Sequence, residues 1–308
     1  MRIVLFGGGG FIGTNLAVRF LAQGHSVRVF EHPKAVCRIP EGLPGKLEWV
    51  AGNFTEPEAV KGALEGADAV FHLVSTTLPG TSNEDMTRDV GENLVGSIRL
   101  MEAALEKKAG RIVFLSSGGT VYGKPVRVPL DEGHPTDPIC SYGITKLAIE
   151  KYLALLGLLK GLDYVTLRLA NPYGPHQNPA AAQGAATVFL NRAMRGEPIE
   201  IWGDGEVVRD YIYIEDAVAA MEAALHYRGE ERVFNVGSGR GTSLNELVEH
   251  IRRIVGRPVE VRHTPSRKID VPSNVLDIGR AERLLDWTPR VAMETGLART
   301  MEYLDALR

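Results

Sequence analysis

A tyrosine and a lysine stand four residues apart in the stretch SYGITK, residues 141–146. On a helix this spacing places Tyr142 and Lys146 on one face, one turn apart. A free tyrosine has a pKa near ~10, too high for a base at neutral pH, but a neighbouring ammonium group favours the phenolate. The pair is therefore either a catalytic base with its supporting cation or two ordinary residues on an exposed helix. The rest of the chain decides between these two hypotheses.

A second pattern that indicates chemistry is the glycine-rich stretch FGGGGFIG, residues 6–13, between a predicted strand and a predicted helix. Glycines let the backbone turn sharply and approach a pyrophosphate, which the helix N-terminus then binds. Glu31 ends the next predicted strand, where a carboxylate would bind a ribose hydroxyl. The pattern predicts a dinucleotide site, with NAD favoured over NADP because Glu31 would repel a 2′-phosphate. His32 could soften that preference.

The composition sets limits on partners and compartment. The chain has 308 residues, a net charge of −3 and 44% hydrophobic residues, which gives no general attraction to nucleic acids or anionic membranes. We expect no metal site, nucleic-acid partner or membrane association. Cys37 and Cys140 form no paired framework, and residues 1–6 do not resemble a signal peptide. We therefore expect free thiols and a cytoplasmic location.

The elements that must position these residues alternate along the first half of the chain. Amphipathic stretches at 11–24 and 91–110 predict helices, and short apolar runs predict buried parallel strands at 2–6, 26–30, 47–50, 69–74, 111–116 and 164–169. Residues 171–185 are rich in turn-forming residues and are predicted to be irregular. Short strands and helices near 215–227, 243–255 and 293–306 follow, and predict a smaller segment packed over one edge of the sheet.

Several motifs, in one order along the chain, resemble the extended short-chain dehydrogenases/reductases, specifically the nucleotide-sugar epimerases. They are GGGGFIG (7–13), VFHLV (70–74), SSGGTVYG (116–123), SYGITK (141–146), RLANPYG (168–174), VVRDYIYIEDAV (207–218) and DWTPRVAMETGL (286–297). The resemblance implies an α/β fold with a Rossmann-type doubly wound parallel sheet over 1–170. It also implies a smaller C-terminal α/β substrate-binding segment over 171–308, with some elements returning to the main sheet.

The resemblance also implies roles for single residues around NAD. Tyr142 would be the base, and Lys146 would hold the nicotinamide ribose. Asn53 stands where the family usually has an aspartate beside adenine, and each of the lone positions has ordinary packing or helix capping as its alternative. The residues expected to contact the cofactor, besides Tyr142 and Lys146, are Gly7, Gly10, Phe11, Ile12, Gly13, Glu31, His32, Asn53, Phe54, Leu73, Ser75, Asn93 and Ser116.

The catalytic motif departs from the family at one position. A serine or threonine normally stands four residues before the tyrosine of VYG, but here that residue is Gly118. We expect Ser117, Thr120 or an ordered water to take over the proton transfer. Sugar-nucleotide 4,6-dehydratases carry an Asp-Glu pair after their threonine, whereas this chain has Gly119 and Thr120. Dehydration is therefore not expected.

The second half carries residues that match the family's substrate site. The resemblance implies that Arg209 and Arg267 bind the diphosphate, since guanidinium groups bind phosphate oxygens in bidentate fashion. Asn171 would contact the diphosphate or sugar, Gly118 would lie beside the sugar, and Trp202 would stack near the uracil. Asn274 aligns with a gate position beside the sugar's 2-substituent. A residue smaller than the tyrosine found in glucose-specific enzymes predicts room for an N-acetyl group.

The resulting prediction is a UDP-hexose 4-epimerase that acts through a transient 4-keto sugar and bound NAD, on UDP-glucose and UDP-galactose and also on the N-acetylhexosamine pair. Alternatives are a UDP-glucuronate epimerase or decarboxylase, and an NAD-bound sensor that has lost catalysis. The family usually forms homodimers through two helices of each subunit. Here those would be the helix around 91–108 and the helix carrying Tyr142. The apolar stretch at 149–159 suits either a dimer interface or a buried helix.

Overall fold

The computed structural model describes residues 1–181, 183–266 and 271–308, and its strands and helices alternate as the sequence predicts. The strands are β1 Arg2–Phe6, β2 Ser26–Glu31, β3 Lys46–Ala51, β4 Ala69–His72, β5 Arg111–Ser117, β6 Tyr164–Leu169, β7 Asn171–Tyr173, β8 Ile199–Trp202, β9 Val208–Tyr213, β10 Val233–Val236, β11 Gly241–Ser243, β12 Val261–Thr264 and β13 Ser273–Asn274. The six strands predicted in the first half are all present.

The helices complete the alternation. They are α1 Phe11–Ala22, α2 Pro57–Ala63, α3 Met86–Asp89, α4 Gly96–Glu106, α5 Ser141–Lys160, α6 Ala185–Arg195, α7 Ile214–His226, α8 Leu244–Val255, α9 Gly279–Leu285 and α10 Met293–Asp305. Between α3 and α4 the chain forms a π-helical segment, Val90–Val95. The single helix predicted over 91–110 is therefore a π-helical turn followed by α4. Such segments are rare and are often found at functional sites.

The main sheet has seven parallel strands in the order β10-β6-β5-β4-β1-β2-β3. The chain runs outward in one direction from β1 through β2 to β3, then crosses back to β4 and runs outward in the other direction. Ligands of doubly wound sheets bind at the carboxyl ends of the two strands where this direction changes. Here those strands are β1 and β4, so the expected site lies at their carboxyl ends.

Both faces of the main sheet are covered by hydrophobic packing. In β1, Ile3 and Leu5 belong to one buried cluster, whereas Val4 and Phe6 belong to another on the opposite face. Since successive side chains of a strand point to opposite faces, this alternation places a helical layer on each side. The chain thus has the doubly wound α/β fold that its strand pattern predicts.

The second half forms two small sheets and also returns to the large one. Strand β9 pairs with β7, β11 and β13, and β8 pairs with β12. Strand β10 lies parallel to β6 at the edge of the main sheet. The prediction that residues 171–185 are irregular is wrong at its start, because Asn171–Tyr173 gain a strand partner in β9, a pairing with residues 211–213 that local sequence does not reveal.

Helix α5 is the longest helix among the described residues. It is capped after Lys160 by Gly161, whose φ of +69° favours glycine, and its inner face packs on β5 and β6. The C-terminal half of α5 is apolar. Among the described residues, however, no helix is both long and apolar enough to cross a bilayer.

Candidate active site

The glycine turn between β1 and α1 has positions at which a side chain would not fit. Gly7 has a φ of +83°, and a Cβ atom there would lie 3.0 Å from the backbone nitrogen of Val74. A Cβ atom on Gly13 would lie 2.5 Å from Cα of Gly8 and 2.6 Å from the carbonyl oxygen of Gly7. The turn therefore brings α1 close to β1, with Gly10 at the helix N-terminus. Phe11 and Ile12, the first two residues of α1, are partly buried.

Glu31, at the end of β2, lies beside this turn. Its carboxylate accepts hydrogen bonds from the backbone N–H groups of Gly9 at 3.0 Å and of His32 at 2.9 Å. A negative group therefore stands at the rim of the turn, as expected for a ribose-binding carboxylate. Its contact with Gly9 was not predicted and adds a local role in ordering the loop.

Two further predicted cofactor residues have structural partners. The Asn53 side-chain oxygen accepts hydrogen bonds from the backbone N–H and the hydroxyl of Thr55, which orders the turn before α2. Phe54 is buried in the core, where its ring lies 6.1 Å from that of Phe6 and 5.4 Å from that of His72. The Phe54 side chain thus packs against the sheet, as the packing alternative to a cofactor contact predicts.

The loop that follows β4, residues 73–77, is called the cofactor loop here. It approaches the glycine turn at the switch point, which is the place between β1 and β4 where the strand order changes direction. Leu73 donates its backbone N–H to the carbonyl of Phe6 at 2.9 Å. Ser75 is exposed and lies within hydrogen-bonding reach of the Tyr142 hydroxyl. Asn93 holds this loop by accepting the backbone N–H of Thr76 at 2.9 Å. The structure therefore brings the predicted cofactor loop and the predicted base together.

Tyr142 and Lys146 lie on the inner side of α5, so the pair does not belong to an exposed helix surface. The Lys146 side chain is buried and its Nζ donates to the carbonyl of Leu115 at 3.0 Å. The same Nζ lies 5.6 Å from the centre of the Tyr142 ring and 4.9 Å from that of Phe114. A phenol and an ammonium group thus share one pocket at the carboxyl end of β5.

The protein environment shifts the pKa of both groups by burial. Burial lowers the pKa of Lys146 to about 8, although Asp89 and Glu150 act in the opposite direction. Burial raises the pKa of Tyr142 to about 12, and the groups at Cys140 and Asp89 raise it further while Ser75 lowers it. The expectation that the neighbouring ammonium lowers the Tyr142 pKa is therefore not met by the protein groups alone. The physical reason is burial of the phenol, while the Lys146 ammonium group donates to the carbonyl of Leu115.

The hydroxyl groups near Gly118 differ in accessibility. Ser116 is buried, and its hydroxyl donates to Glu150 of α5 at 2.5 Å. The Thr120 hydroxyl is buried without a hydrogen-bond partner among the described residues, whereas Ser117 is partly exposed at the end of β5. A Cβ atom on Gly118 would lie 2.6 Å from Cδ1 of Leu276 and 3.1 Å from the carbonyl oxygen of Arg168, so a larger residue there would require the Leu276 side chain to shift. Leu276 thus occupies the space that a serine at this position would need.

The predicted substrate residues lie around β9. Arg209 donates to the carbonyls of Val208 and Val271, and Asn171 donates to the carbonyl of Asp210 at 2.8 Å. Asn274 is buried, pairs with Arg209 in the strand register and donates its amide to the Gly118 carbonyl at 3.0 Å. Trp202 is 45% exposed at the end of β8, apart from this sheet. Arg267 lies outside the described residues.

Three buried charges near the site were missed by the sequence analysis. Asp89 accepts hydrogen bonds from α5, and Arg168 forms an ion pair with Glu150 at 2.7 Å. Glu150 follows Lys146 by one helical turn, so the spacing Tyr142, Lys146, Glu150 was a signal that could have located it. Removing one partner of such a buried pair costs about 3–5 kcal/mol. This pair therefore fixes α5 on β6.

Comparison with known proteins relates this geometry to a family. Residues 3–237 match the model of the NAD-dependent epimerase/dehydratase family. The chain belongs to this family. It is 35% identical to a UDP-glucose 4-epimerase of Mycolicibacterium smegmatis over 98% of both chains.

Two solved structures show the same likeness over the full chain. The Thermotoga maritima UDP-glucose 4-epimerase, crystallised with UDP-glucose, has 35% identity, a TM-score of 0.93 and coverage of 100% of this chain and 99% of its own. The Thermus thermophilus UDP-glucose 4-epimerase, in complex with NAD, has 30% identity, a TM-score of 0.91 and full coverage of both chains. The resemblance inferred from the motifs is confirmed, and with it NAD as the family's cofactor.

The residues present fit NAD. The closely approached glycine turn, the N-terminus of α1 and the carboxylate of Glu31 match a pyrophosphate and an adenosine ribose. In contrast, the described residues contain no group of three or more His, Cys, Asp or Glu side chains placed to hold a metal ion.

Proposed function

We propose that the protein is a UDP-hexose 4-epimerase. The observation that carries the proposal is the position of Tyr142 and Lys146 on the inner side of α5, beside the switch point of the sheet and beside Ser75 of the cofactor loop. The pair stands where a base is needed for oxidation at a sugar hydroxyl. The relatives reported above, named for this reaction, support the choice of sugar nucleotide.

In this proposal Tyr142 takes the proton of the sugar's 4-hydroxyl and later returns a proton. Loss of this proton together with the hydride on C4, which bound NAD would accept, would leave a transient 4-keto sugar. When bound, NAD supplies a reversible hydride acceptor and a ring cation whose field favours the phenolate. Lys146 holds the nicotinamide ribose, and its charge adds to that field. The 4-keto sugar turns about its diphosphate link between the two half-reactions. Arg209 anchors the diphosphate so that the sugar can turn without leaving.

Ser117 is the hydroxyl that we propose to relay the proton in place of the residue missing at Gly118. A hydroxyl without accessible surface cannot touch a substrate, which argues against Thr120. Ser117→Ala should lower kcat about 10–100-fold, within the usual range for a proton-transfer group. Thr120→Val, which keeps the side-chain shape, should leave kcat within about 2-fold. Full activity of Ser117→Ala would instead assign the relay to Thr120 or to a water.

Asn274 supports a proposal about the sugar's 2-substituent. Its amide is tied to the Gly118 carbonyl, so the side chain is held at the end of β5. Because it is smaller than a tyrosine, we propose that the pocket admits UDP-N-acetylglucosamine and UDP-N-acetylgalactosamine. Activity on these sugars separates this proposal from a glucose-specific pocket.

The decisive experiment is incubation of the NAD-loaded protein with UDP-galactose, UDP-N-acetylgalactosamine or UDP-galacturonate, each followed by anion-exchange chromatography. Conversion of the first two to their gluco epimers is the expected result. Conversion of UDP-galactose alone would contradict the pocket proposed at Asn274. A product from the uronate only would replace the proposed reaction with the uronate alternative, and no product with NAD retained would favour a sensor.

We also propose a homodimer. The outer surface of α5 exposes Ile144, Leu155, Leu158 and Leu159, and the neighbouring α3 and π-helical segment expose Met86, Val90 and Val95. Exposed apolar side chains on three neighbouring helical elements are typical of a subunit interface. Leu158→Glu with Leu159→Glu should convert the protein to monomers in light scattering. A parent protein that is already monomeric would contradict the proposal.

The two cysteines support the proposed cytoplasmic location. Cys37 is exposed, Cys140 is buried, and both are free thiols, as is usual in a reducing compartment.

A further inference from the structure

The first turn of α5 is held by side chains from the segment between β4 and α3. Ser141 donates its backbone N–H to the Asn83 side-chain oxygen at 2.9 Å, and Tyr142 donates its own to the Ser82 hydroxyl at 3.0 Å. These two donors are among the four that the start of a helix leaves without partners in the helix itself. The N-terminus of the helix that carries the predicted base is thus fixed by a segment distant in sequence.

Asp89 adds the strongest contacts to this connection. It is fully buried where α3 meets the π-helical segment, and its Oδ2 accepts the hydroxyl of Ser141 at 2.6 Å and that of Thr145 at 2.9 Å. Ser141 and Thr145 are one turn apart on α5. Ser141 precedes Tyr142 by one residue and Thr145 precedes Lys146 by one residue, so the two pairs lie side by side on the helix. By holding Ser141 and Thr145, Asp89 fixes the rotation of the helix and therefore the direction in which Tyr142 and Lys146 point.

The other oxygen of Asp89 reaches the cofactor loop. Its Oδ1 accepts the hydroxyl of Thr77 at 2.5 Å and the side-chain amide of Asn93 at 2.9 Å. Asn93 in turn holds the backbone N–H of Thr76, next to Ser75. Burial raises the pKa of Asp89, but hydrogen bonds from Ser141, Thr77, Thr145 and Asn93 outweigh burial and hold it below its ordinary value. The group is therefore a carboxylate, and the three hydroxyls donate to it.

We propose that Asp89 is a positioning residue that sets the rotation of α5 and the distance of Tyr142 and Lys146 from the cofactor loop at Ser75–Thr77. One carboxylate joins the helix that carries the base to the loop that approaches the cofactor. The π-helical segment places Asp89 and Asn93 on the side that faces α5. The inference rests on the proposed function, because it assigns Tyr142 and Lys146 to one reaction.

Several charged or titratable groups face this pair from the surrounding elements. They are Asp89 from α3, Glu150 from α5, Arg168 from β6, His72 from β4 and Cys140 before α5. Glu150 is neutralised by Arg168, and burial keeps His72 uncharged by lowering its pKa to about 3. Asp89 is thus the charge whose removal should change the pKa of Tyr142 in a known direction. It disfavours the Tyr142 phenolate, so neutralising it should move the phenolate titration to lower pH.

The test compares Asp89→Asn with Asp85→Asn, a matched change at the exposed cap of α3, where the Asp85 side chain accepts the backbone N–H of Arg88 within its own turn. In Asp89→Asn the amide that replaces Oδ2 no longer accepts from Ser141 and Thr145. We expect kcat to fall about 10–100-fold, the range that small misplacements cause, with KM for the sugar nucleotide within about 3-fold. Asp85→Asn should match the parent in both constants.

A second readout does not depend on turnover. The tyrosinate absorbance of the NAD-loaded protein is titrated with and without Tyr142→Phe, so that the difference reports Tyr142 alone. We expect Asp89→Asn to lower its midpoint by about 0.5–1 pH unit. Ser141→Ala with Thr145→Val, which keeps the carboxylate, should lower kcat similarly but should not lower the midpoint.

The proposal is overturned if Asp89→Asn keeps the parental kcat and titration. It is also overturned if kcat falls only in proportion to lost NAD occupancy or thermal stability while the midpoint stays in place, since that pattern indicates a purely structural residue. Because the titration needs no substrate, an unshifted midpoint rejects the role of Asp89, whereas inactivity of the parent on every UDP-sugar rejects the proposed function instead.

Discussion

The two ends of the site are built differently. At the proposed cofactor end, backbone atoms form the surface: the glycine turn, the start of α1 and the loop after β4 lie close together along one sheet. At the proposed nucleotide-sugar end, side chains from short strands converge, with Arg209 on β9, Asn171 on β7 and Asn274 on β13. Tyr142 and Lys146 on α5 are contributed by a third element of the fold.

The two ends are therefore sensitive to different substitutions. At Gly7 and Gly13 an added side chain would meet backbone atoms, which cannot move aside without moving the turn itself. A surface made of side chains depends on the chemistry of each head group and tolerates changes of shape. The four predictions below test this contrast.

The largest effect is expected at Tyr142, which serves both ends. Tyr142→Phe should lower kcat by about 10³-fold, because it removes the proposed base while keeping the ring in place. Affinity for NAD and for the sugar nucleotide should stay within about 3-fold, measured by calorimetry. Tyr152→Phe, an exposed change on the same helix, is the control. Retained turnover in Tyr142→Phe would exclude this residue as the base.

At the cofactor end, Gly13→Ala should weaken NAD binding by about 10²-fold or more, measured by the NAD retained after gel filtration. The added methyl group would lie 2.5 Å from the backbone of Gly8, so α1 must move away from the turn. Gly62→Ala in α2 meets no atom within 4 Å and should behave like the parent. Normal NAD binding by a folded Gly13→Ala protein would show that the turn does not depend on its backbone contact.

At the nucleotide-sugar end, Arg209→Lys should raise KM for the sugar nucleotide about 10-fold and leave NAD binding unchanged. Lysine keeps the charge but cannot bind phosphate oxygens in bidentate fashion. Arg262→Lys, on the exposed face of β12, is the matched control in the same half of the chain. A loss of NAD binding in Arg209→Lys would mean that the two ends are not separate.

The last effect is on stability rather than on turnover or binding, and it concerns the helix shared by both ends. The pKa of Lys146 falls from 10.5 to about 8 on folding because of burial, so between these values the unfolded chain binds more protons. The free energy of unfolding should therefore rise with pH from about 8 to about 10, by at most about 3 kcal/mol. Urea unfolding at several pH values measures this.

Lys146→Met should lose that rise and should be more stable than the parent at pH 7, because no buried ammonium remains. Lys151→Met, on the exposed side of α5, should keep the rise. A parental pH dependence in Lys146→Met would assign the effect to another group.

Much of the fold could be predicted because it depends on local patterns. Short apolar runs in the sequence predict six parallel strands, and the chain forms all six in the expected doubly wound sheet, although the edge strand β3 is only partly buried. Strand β7 was missed, since three residues with a proline become a strand only by pairing with β9. The π-helical segment was missed for a similar reason, because its side chains are held by a loop and by α5 rather than by its own sequence.

Local sequence is enough to specify the glycine turn, Glu31 at the end of β2, and the one-turn spacing of Tyr142 and Lys146, because backbone geometry and helical periodicity act over a few residues. Three features arise only in the folded chain: the burial of one side of α5, the position of Leu276 beside Gly118, and the link that Asp89 makes between α5 and the cofactor loop. These features depend on residues about 10 to 160 positions apart. Their contacts arise from the packing of whole elements, which no local pattern encodes.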